Sequence, residues 1–157
     1  MKRIGIIITV LFAMSLSAHA QRGNQKWFNT AFGMRIEGGA GSRGVLGPTY
    51  ESGLSSTSGL EIALLSNFSS GIEANVLYKL IKTIPDVPAS VRWYLGFGAH
   101  VGIWHNSVVA GPDFLLGLGY NIPDAPINIA LDWHPNVDIG GSFNAAKFGF
   151  SVRYIVE

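Results

Sequence analysis

Apolar and polar side chains alternate with a period of two residues along most of the chain after residue 28. This period is typical of β-strands whose two faces meet different surroundings. Glycine, proline, asparagine, aspartate and serine fill the intervening stretches, which predicts short turns. The pattern predicts eight strands of about ten residues each, at positions 30–39, 45–54, 58–65, 71–81, 90–104, 112–120, 126–137 and 146–156.

The two faces of the predicted strands differ in charge. One face carries large aliphatic and aromatic side chains and no charged residue. The other face carries glycines, His100 and His134, and five bases against five acids: Arg35, Lys79, Arg92, Lys147 and Arg153, and Glu37, Glu51, Glu61, Glu73 and Asp132. A soluble barrel directs its charges toward water, whereas a membrane barrel has an apolar exterior and a polar interior. The charged residues together with His100 are therefore predicted to form an interior polar network.

The strand lengths and the polar face together predict the fold. A tilted strand of about 9–11 residues spans a bilayer, and lipid tolerates no unpaired strand edge. We therefore expect an all-β fold, an eight-stranded antiparallel up-and-down transmembrane β-barrel. Side chains fill the interior of an eight-stranded barrel, and unpaired buried charges are costly. The balanced charges favour a plug of ion pairs, although a line of charges could also steer ions through a small pore.

Two connections nearly repeat each other. Ile-Pro-Asp-Val-Pro occupies 84–88 and Ile-Pro-Asp-Ala-Pro occupies 122–126, 38 residues further on. Two strands and their connections account for that spacing, so both turns are predicted at the same end of the barrel. We assign this end, with both termini, to the periplasmic side. The opposite connections are predicted at 40–44, 66–70, 105–111 and 138–145.

The first twenty residues have the layout of a secretory signal peptide. Lys2 and Arg3 precede an apolar stretch at 4–14, and small residues lead to Ala18-His19-Ala20, an A-x-A cleavage site. The apolar stretch is too short to span a bilayer as a helix. We expect cleavage after Ala20, which leaves residues 21–157 as an exported barrel domain.

Composition excludes several kinds of protein. Charged residues make up 13% of the chain, about half of the roughly 25% usual in soluble domains. The chain has no cysteine, which excludes disulfides and thiolate metal sites. The net charge of +1 argues against binding to nucleic acid. We expect no cofactor.

The histidines give weak support for chemistry. His100, His105 and His134 lack the spacing of a zinc site. His105-Asn106-Ser107 could place a histidine base beside a serine nucleophile, an arrangement that resembles lipid A deacylases. The longer motif of those enzymes is absent, and no glutamate follows to orient the histidine. We therefore predict a polar loop here and no catalytic site.

The last strand carries a second pattern. Lys147, Gly149, Val152 and Tyr154 occupy the polar, glycine, hydrophobic and aromatic positions of the signal that outer-membrane barrels present for assembly. Segments 98–104 and 127–133 also look like strands of such proteins. Over residues 28–156 the chain resembles the small eight-stranded outer-membrane barrels of Gram-negative bacteria, relatives of outer membrane protein X and the OmpA transmembrane domain. The resemblance implies an outer-membrane location, contact with outer-membrane lipid, recognition by the barrel assembly machinery through the last strand, and a monomer.

The remaining aromatic residues suggest the membrane boundaries. Tryptophan and tyrosine favour the level of the lipid headgroups, and the candidates for such girdles are Trp27, Trp93, Trp104, Tyr120, Trp133 and Tyr154. The favoured function is a structural or surface-interaction role in the outer membrane. The alternatives are a small porin-like pore, a lipid A-modifying hydrolase, and a soluble exported barrel that binds an apolar ligand.

Overall fold

A computed structural model describes residues 26–40, 42–141 and 143–156. The predicted signal peptide at 1–20, with its cleavage site after Ala20, lies outside the described residues. No helix in the described ranges has the length and apolar character needed to cross a membrane.

The described residues form one antiparallel sheet that closes on itself. Strands β1 to β7 pair in chain order, and β10 pairs with both β7 and β1 to complete the barrel. The short strands β8 and β9 pair with each other inside the connection between β7 and β10. The strands are β1 Thr30–Gly39, β2 Val45–Ser55, β3 Ser58–Ser66, β4 Gly71–Thr83, β5 Val91–Trp104, β6 Ser107–Asn121, β7 Ile127–Trp133, β8 Asn136–Val137, β9 Phe143–Asn144 and β10 Lys147–Val156. The prediction of an all-β barrel with eight long strands is confirmed.

Connections define the two ends of the barrel. The turn end carries the connections 56–57, 84–90 and 122–126, and the loop end carries 40–44, 67–70, 105–106 and 134–146. Both proline-containing turns lie at the turn end, as predicted. Asp86 and Asp124 follow their prolines with φ of 62° and 64°. Proline followed by a positive φ is the geometry of a type II turn, so the repeated sequence has a repeated backbone.

The predicted loop at 105–111 is wrong. Trp104 pairs with Ser107, and β6 runs as a strand from that residue onward. His105 and Asn106 have φ of 47° and 63°, so they form a two-residue hairpin turn with both central residues in the left-handed region. Such a turn keeps the strands paired to its edge, which lengthens β6 beyond the predicted 112–120.

The predicted strand 126–137 is divided into two. β7 ends at Trp133, and pairing with β6 resumes only at Asn136, opposite Asp113. Pro135 lies in the gap, and proline has no N–H to donate to a neighbouring strand. Its carbonyl still accepts a hydrogen bond from the Phe114 N–H at 3.0 Å, so the segment stays against β6.

The two faces of the strands have the predicted polarity. Outward side chains such as Phe97 and Leu131 are exposed by 53% and 59%, whereas the inward Arg35 and Glu61 are completely buried. Apolar side chains enter the interior in two small clusters. The cluster nearer the turn end contains Leu77, Ile81, Tyr94, Leu115 and Ala130 with Trp27, and the cluster nearer the loop end contains Val45, Ala63, Leu65 and Trp104 with Val109. Charged side chains occupy the space between them.

Candidate functional site: the polar interior of the barrel

Acids, bases and histidines from all eight long strands or their ends converge inside the barrel. Each is at most 6% exposed, although every one of these groups is strongly hydrated in an unfolded chain. Their burial is therefore stable only when they are paired. The members are Arg35, Glu37, Glu51, Glu61, Glu73, Lys79, His100, Asp113, Asp132, His134, Lys147 and Arg153.

Arg35 on β1 lies at the centre of this network. Its Nη1 and Nη2 donate to the two carboxylate oxygens of Asp132 at 3.0 and 2.6 Å, and its Nε donates to Glu37 Oε1 at 2.5 Å. Ser151 Oγ accepts a further bond at 3.1 Å. A planar guanidinium suits this site because its fork of donors matches a carboxylate.

Gly149 provides the space that Arg35 occupies. It lies on β10 opposite Glu37 of β1, and a Cβ atom at this position would be 2.2 Å from Arg35 Nη2 and 2.5 Å from Asp132 Oδ1. Any larger residue would therefore displace the central ion pair. This is a structural reason for glycine at a position that also belongs to the predicted assembly signal.

A second group of ion pairs lies between Arg35 and the turn end. Lys79 Nζ lies 2.7 Å from Glu51 Oε2 and 2.5 Å from Glu61 Oε2. Arg153 contacts Glu61 and lies 3.4 Å from Glu51. Thr49 donates to Glu61 at 2.6 Å. Each carboxylate in this group meets at least two cations, which compensates for the loss of water.

A third group lies toward the loop end and includes both inward histidines. Lys147 Nζ is 2.7 Å from Glu37 Oε2 and 3.3 Å from Glu73 Oε1. His134 lies between Glu37 and Asp113, and His100 lies between Asp113 and Asp138. The polar contacts thus form a continuous chain from Asp138 at the loop end to the Arg153 side chain.

One residue of the predicted network lies elsewhere. Arg92 is only partly buried and donates to the Ser56 carbonyl at 3.3 Å, with its guanidinium 5.7 Å from the centre of the Trp27 ring. Among the described residues it has no carboxylate within salt-bridge distance. The other predicted interior residues are brought together around Arg35, Lys79 and Lys147.

Asp113 belongs to the interior but is missing from the predicted set. It is completely buried and contacts both histidines. Its position, two residues before Leu115 and four before Gly117, gives it the inward parity of β6. The alternation of inward and outward residues therefore includes Asp113, but the predicted strand begins at residue 112 and its predicted polar face begins only at residue 115.

Two of the six girdle candidates lie inside the barrel; the parity of Trp104 on its strand is consistent with this, whereas the inward position of Trp27 was not predicted. Trp104 is 2% exposed and packs inside the loop-end cluster, where the Arg43 guanidinium lies 4.8 Å from its ring. Trp27 packs inward against the turn-end cluster. Both rings pack against apolar clusters at the two ends of the interior, and the burial of their apolar area is stabilising. The outward candidates are Trp93, Tyr120, Trp133 and Tyr154.

Two of the four residues of the predicted assembly signal lie on the outer face of the barrel. Val152 and Tyr154 are 42% and 52% exposed, and the Tyr154 ring lies 5.8 Å from that of Phe32 on β1. Lys147, by contrast, points inward into the ion network. The four residues of the predicted assembly signal therefore divide between the two faces of β10.

The His105-Asn106-Ser107 segment forms a tight turn instead of a catalytic arrangement. His105 and Ser107 are both exposed at the loop end, and no carboxylate in the described part of the chain hydrogen-bonds to either side chain. Within residues 26–40, 42–141 and 143–156, no group of three histidines or acids has the geometry to hold a metal ion.

Two cavities open at the ends of the barrel. A cavity of about 80 Å³ at the loop end is lined by Ser42, Arg43, Val45, Glu73, Asn136, Asp138, Asn144 and Lys147. A wider space of about 1130 Å³ at the turn end lies beside Trp27, Asn121 and Tyr154. The two linings share no residue, and the central ion pairs lie between them.

Comparison with known proteins supports the fold. The sequence matches no family model and no curated protein. The N-terminal β-barrel domain of Pseudomonas aeruginosa OprF is similar in structure, with a TM-score of 0.61 and 12% identity over 80% of this chain and 96% of that chain. Neisserial surface protein A has a TM-score of 0.48 and 14% identity over 81% of this chain and 94% of that chain. The chain is therefore a closed, eight-stranded antiparallel β-barrel with the fold of an outer-membrane protein, as the sequence resemblance implied.

Proposed function

We propose that this protein is an integral outer-membrane β-barrel with a structural or surface-interaction role, that it is not an enzyme, and that ion pairs close its interior. The observation that carries the proposal is the inverted polarity of the barrel. Arg35 and Glu61 are completely buried, whereas Phe97, Leu118 and Leu131 are more than half exposed. Burying charges and exposing large apolar groups is unfavourable in water but favourable in a bilayer.

The height of the apolar surface supports a membrane location. On β5 the outward residues run from Trp93 to Ile103, a distance of ten residue steps or about 34 Å along the strand. A strand tilt of about 40° projects this onto about 26 Å, close to the roughly 25 Å apolar band of outer-membrane barrels. Trp93 then lies at one boundary of the band, where an amphipathic ring is favoured.

The packing of the interior favours a closed barrel over a pore. The ion pairs around Arg35 and Lys79 lie between two apolar clusters, one of which includes Trp104 and the other Leu115. An ion would have to displace both apolar layers and separate ion pairs at a depth where water could not replace the lost partner. The same charged interior argues against the soluble barrel with an apolar ligand, since such a ligand requires an apolar cavity.

The exposed hairpin turn argues against the hydrolase. A serine nucleophile needs a histidine base whose ring is held by a third group. His105 lies in a solvent-exposed turn, and none of the described carboxylates hydrogen-bonds to its ring. The structural or surface-interaction role therefore remains the best supported.

Fractionation and conductance measurements test this proposal together. We expect the protein in the outer-membrane fraction, with a gel mobility that changes when the SDS sample is boiled, because a closed barrel resists SDS until heated. In planar bilayers we expect no steady conductance, with a general porin reconstituted in the same way as the positive control. Recovery from the aqueous fraction without detergent would contradict the membrane location. Reproducible channels from a heat-modifiable preparation would contradict the closed interior.

A further inference from the structure

The fully buried interior carries more acids than bases. The buried bases are Arg35, Lys79, Lys147 and Arg153, and the buried acids are Glu37, Glu51, Glu61, Glu73, Asp113 and Asp132. Four bases against six acids leave two negative charges uncompensated. Arg92 and Asp138 are only partly buried, lie at opposite ends of the barrel and add no net charge to this count. Uncompensated buried charge is strongly unfavourable. The only other ionisable groups with positive forms among the described interior residues are His100 and His134.

The contacts of His100 require two protons on its ring. Nδ1 lies 3.0 Å from Asp113 Oδ1, and Nε2 lies 3.1 Å from Asp138 Oδ1. A carboxylate oxygen accepts hydrogen bonds and does not donate them, whereas a neutral imidazole has a single N–H. With both carboxyl groups ionised, the two contacts are therefore satisfied by the imidazolium ion.

His134 also lies between two carboxylates, but only one of the two contacts is a hydrogen bond. Its Nδ1 lies 2.9 Å from Glu37 Oε1, and its Nε2 lies 3.5 Å from Asp113 Oδ1. Arg35 Nη2 is also 3.3 Å from Nδ1, a longer contact than the one with Glu37. The shorter contact, with Glu37, therefore determines that Nδ1 carries a proton.

Charged groups surround both histidines from several strands. Acids predominate around each ring, and two cations lie nearby. The groups facing His100 are Glu73 from β4, Asp113 from β6, Asp138 beyond β8 and Lys147 from β10, and those facing His134 are Arg35 and Glu37 from β1, Asp113 and Lys147.

We propose that His100 and His134 are imidazolium ions in the folded barrel, and that His100 is a proton-dependent latch that holds Asp138 against the loop end. This inference rests on the proposed closed interior. Two protonated histidines supply the two positive charges that the buried bases lack. For His100 the count of charges and the hydrogen-bond geometry lead independently to this protonation state, and for His134 the count of charges and the contact with Glu37 support it.

The surroundings of the two carboxylates determine which contact is lost when His100 releases a proton. The Asp113 side chain is completely buried, whereas that of Asp138 is 12% exposed. Water can solvate Asp138 but not Asp113, so the remaining N–H stays with Asp113. Asp138 is then released toward solvent.

Release of Asp138 loosens a short segment of backbone. Asp138 directly follows β8, and the next residue, Ile139, donates its N–H to the Ala110 carbonyl at 2.8 Å. Asn136 and Asp138 also line the 80 Å³ cavity at the loop end. Deprotonation of His100 is therefore expected to enlarge this cavity and to weaken the bond between Ile139 and β6.

Nitrogen NMR of the histidine rings tests the protonation states. Protein labelled with ¹⁵N-histidine is extracted from the outer membrane of expressing cells and observed at about pH 7.5, where a histidine in water is mostly neutral. We expect both ring nitrogens of His100 and His134 to resonate as N–H. His105→Gln and His134→Gln assign the signals by difference. A neutral pattern for either buried histidine in a heat-modifiable barrel would overturn the inference but would leave the proposed function intact. The absence of the heat-dependent gel shift would instead contradict the proposed function.

Amide hydrogen exchange tests the latch. At about pH 6 we expect the Ile139 amide to exchange at least about tenfold faster in Asp138→Asn than in the wild type, because a charge-assisted bond is lost. The ratio of the two rates cancels the intrinsic effect of pH, and it should fall toward one at alkaline pH as His100 loses its proton. Asp124→Asn, at the turn end, is the matched control and should leave the Ile139 rate unchanged. A ratio near one at pH 6, or a ratio that stays constant as the pH rises, would refute the latch.

Discussion

Replacing Arg35 by methionine would show how much the central ion pair contributes to stability. Methionine keeps most of the length and apolar stem of arginine but removes every donor. The substitution leaves Asp132 without its two bonds of 2.6 and 3.0 Å and Glu37 without its bond of 2.5 Å. These carboxylates are at most 2% exposed, so water cannot replace the lost partner.

The expected destabilisation is large. Removing one member of a buried ion pair costs about 3–5 kcal/mol because the other charge remains buried. Arg35 binds two carboxylates directly and lies 3.7 Å from a third, Glu61, so a value in the upper half of this range, about 4–5 kcal/mol, is expected. Lys82→Met is the control, since Lys82 is exposed and its Nζ lies 5.9 Å from the Trp93 ring. That change should cost less than about 1 kcal/mol.

Urea unfolding of the barrel in lipid vesicles provides the measurement. Folded and unfolded protein separate by mobility in unboiled SDS gels, and the free energy of unfolding follows from linear extrapolation to zero denaturant. Arg35→Lys, which retains the charge but not the paired donors, should fall between the wild type and the methionine variant. If Arg35→Met remains within about 1 kcal/mol of the wild type, the ion pairs do not hold the interior together and the closed network loses its physical basis.

Two further predictions concern the outer surface. Val76 is 47% exposed near the middle of β4, so Val76→Arg should reduce the free energy of unfolding in vesicles by about 2–4 kcal/mol. Val87→Arg, in a turn outside the strands, is the control and should change this free energy by no more than about 1 kcal/mol. Equal effects of the two substitutions would contradict the assigned membrane band. Tyr154→Ser should lower the amount of heat-modifiable protein in the outer membrane without changing its synthesis, because it removes the aromatic position of the predicted assembly signal. Tyr120→Ser, on β6, is the matched control. An equal loss from both variants would contradict the assembly role and show that exposed tyrosines stabilise the barrel in general.

The sequence by itself determined the number, order and polarity of the strands. The orientation of a side chain in a strand depends only on its parity, so the alternation of Met34, Arg35, Ile36 and Glu37 already shows which residues point inward. The total lack of charge on one face indicated the environment of that face. The two proline turns could also be placed at one end, because successive hairpins reverse direction with each strand.

The position of strand ends was less accessible from the sequence. His105 and Asn106 form a tight hairpin turn only because Trp104 and Ser107 are already paired by the sheet. Without that pairing, the polar residues from 105 onward are equally compatible with a longer loop. Trp27 and Trp104 are a similar case: their amphipathic rings suit a headgroup region as well as an apolar cluster, and only the shape of the barrel ends decides between the two.

Only the tertiary structure decided which charges meet. Arg35 and Asp132 are 97 residues apart, and β1 and β7 are joined through β10, whose register with each strand sets the height at which the two side chains enter the interior. Parity places a side chain inside the barrel, but the stagger of strands around a closed barrel determines its partners. For the same reason the sequence could identify His100 as an interior residue without showing that it bridges Asp113 and Asp138, the arrangement on which its protonation depends.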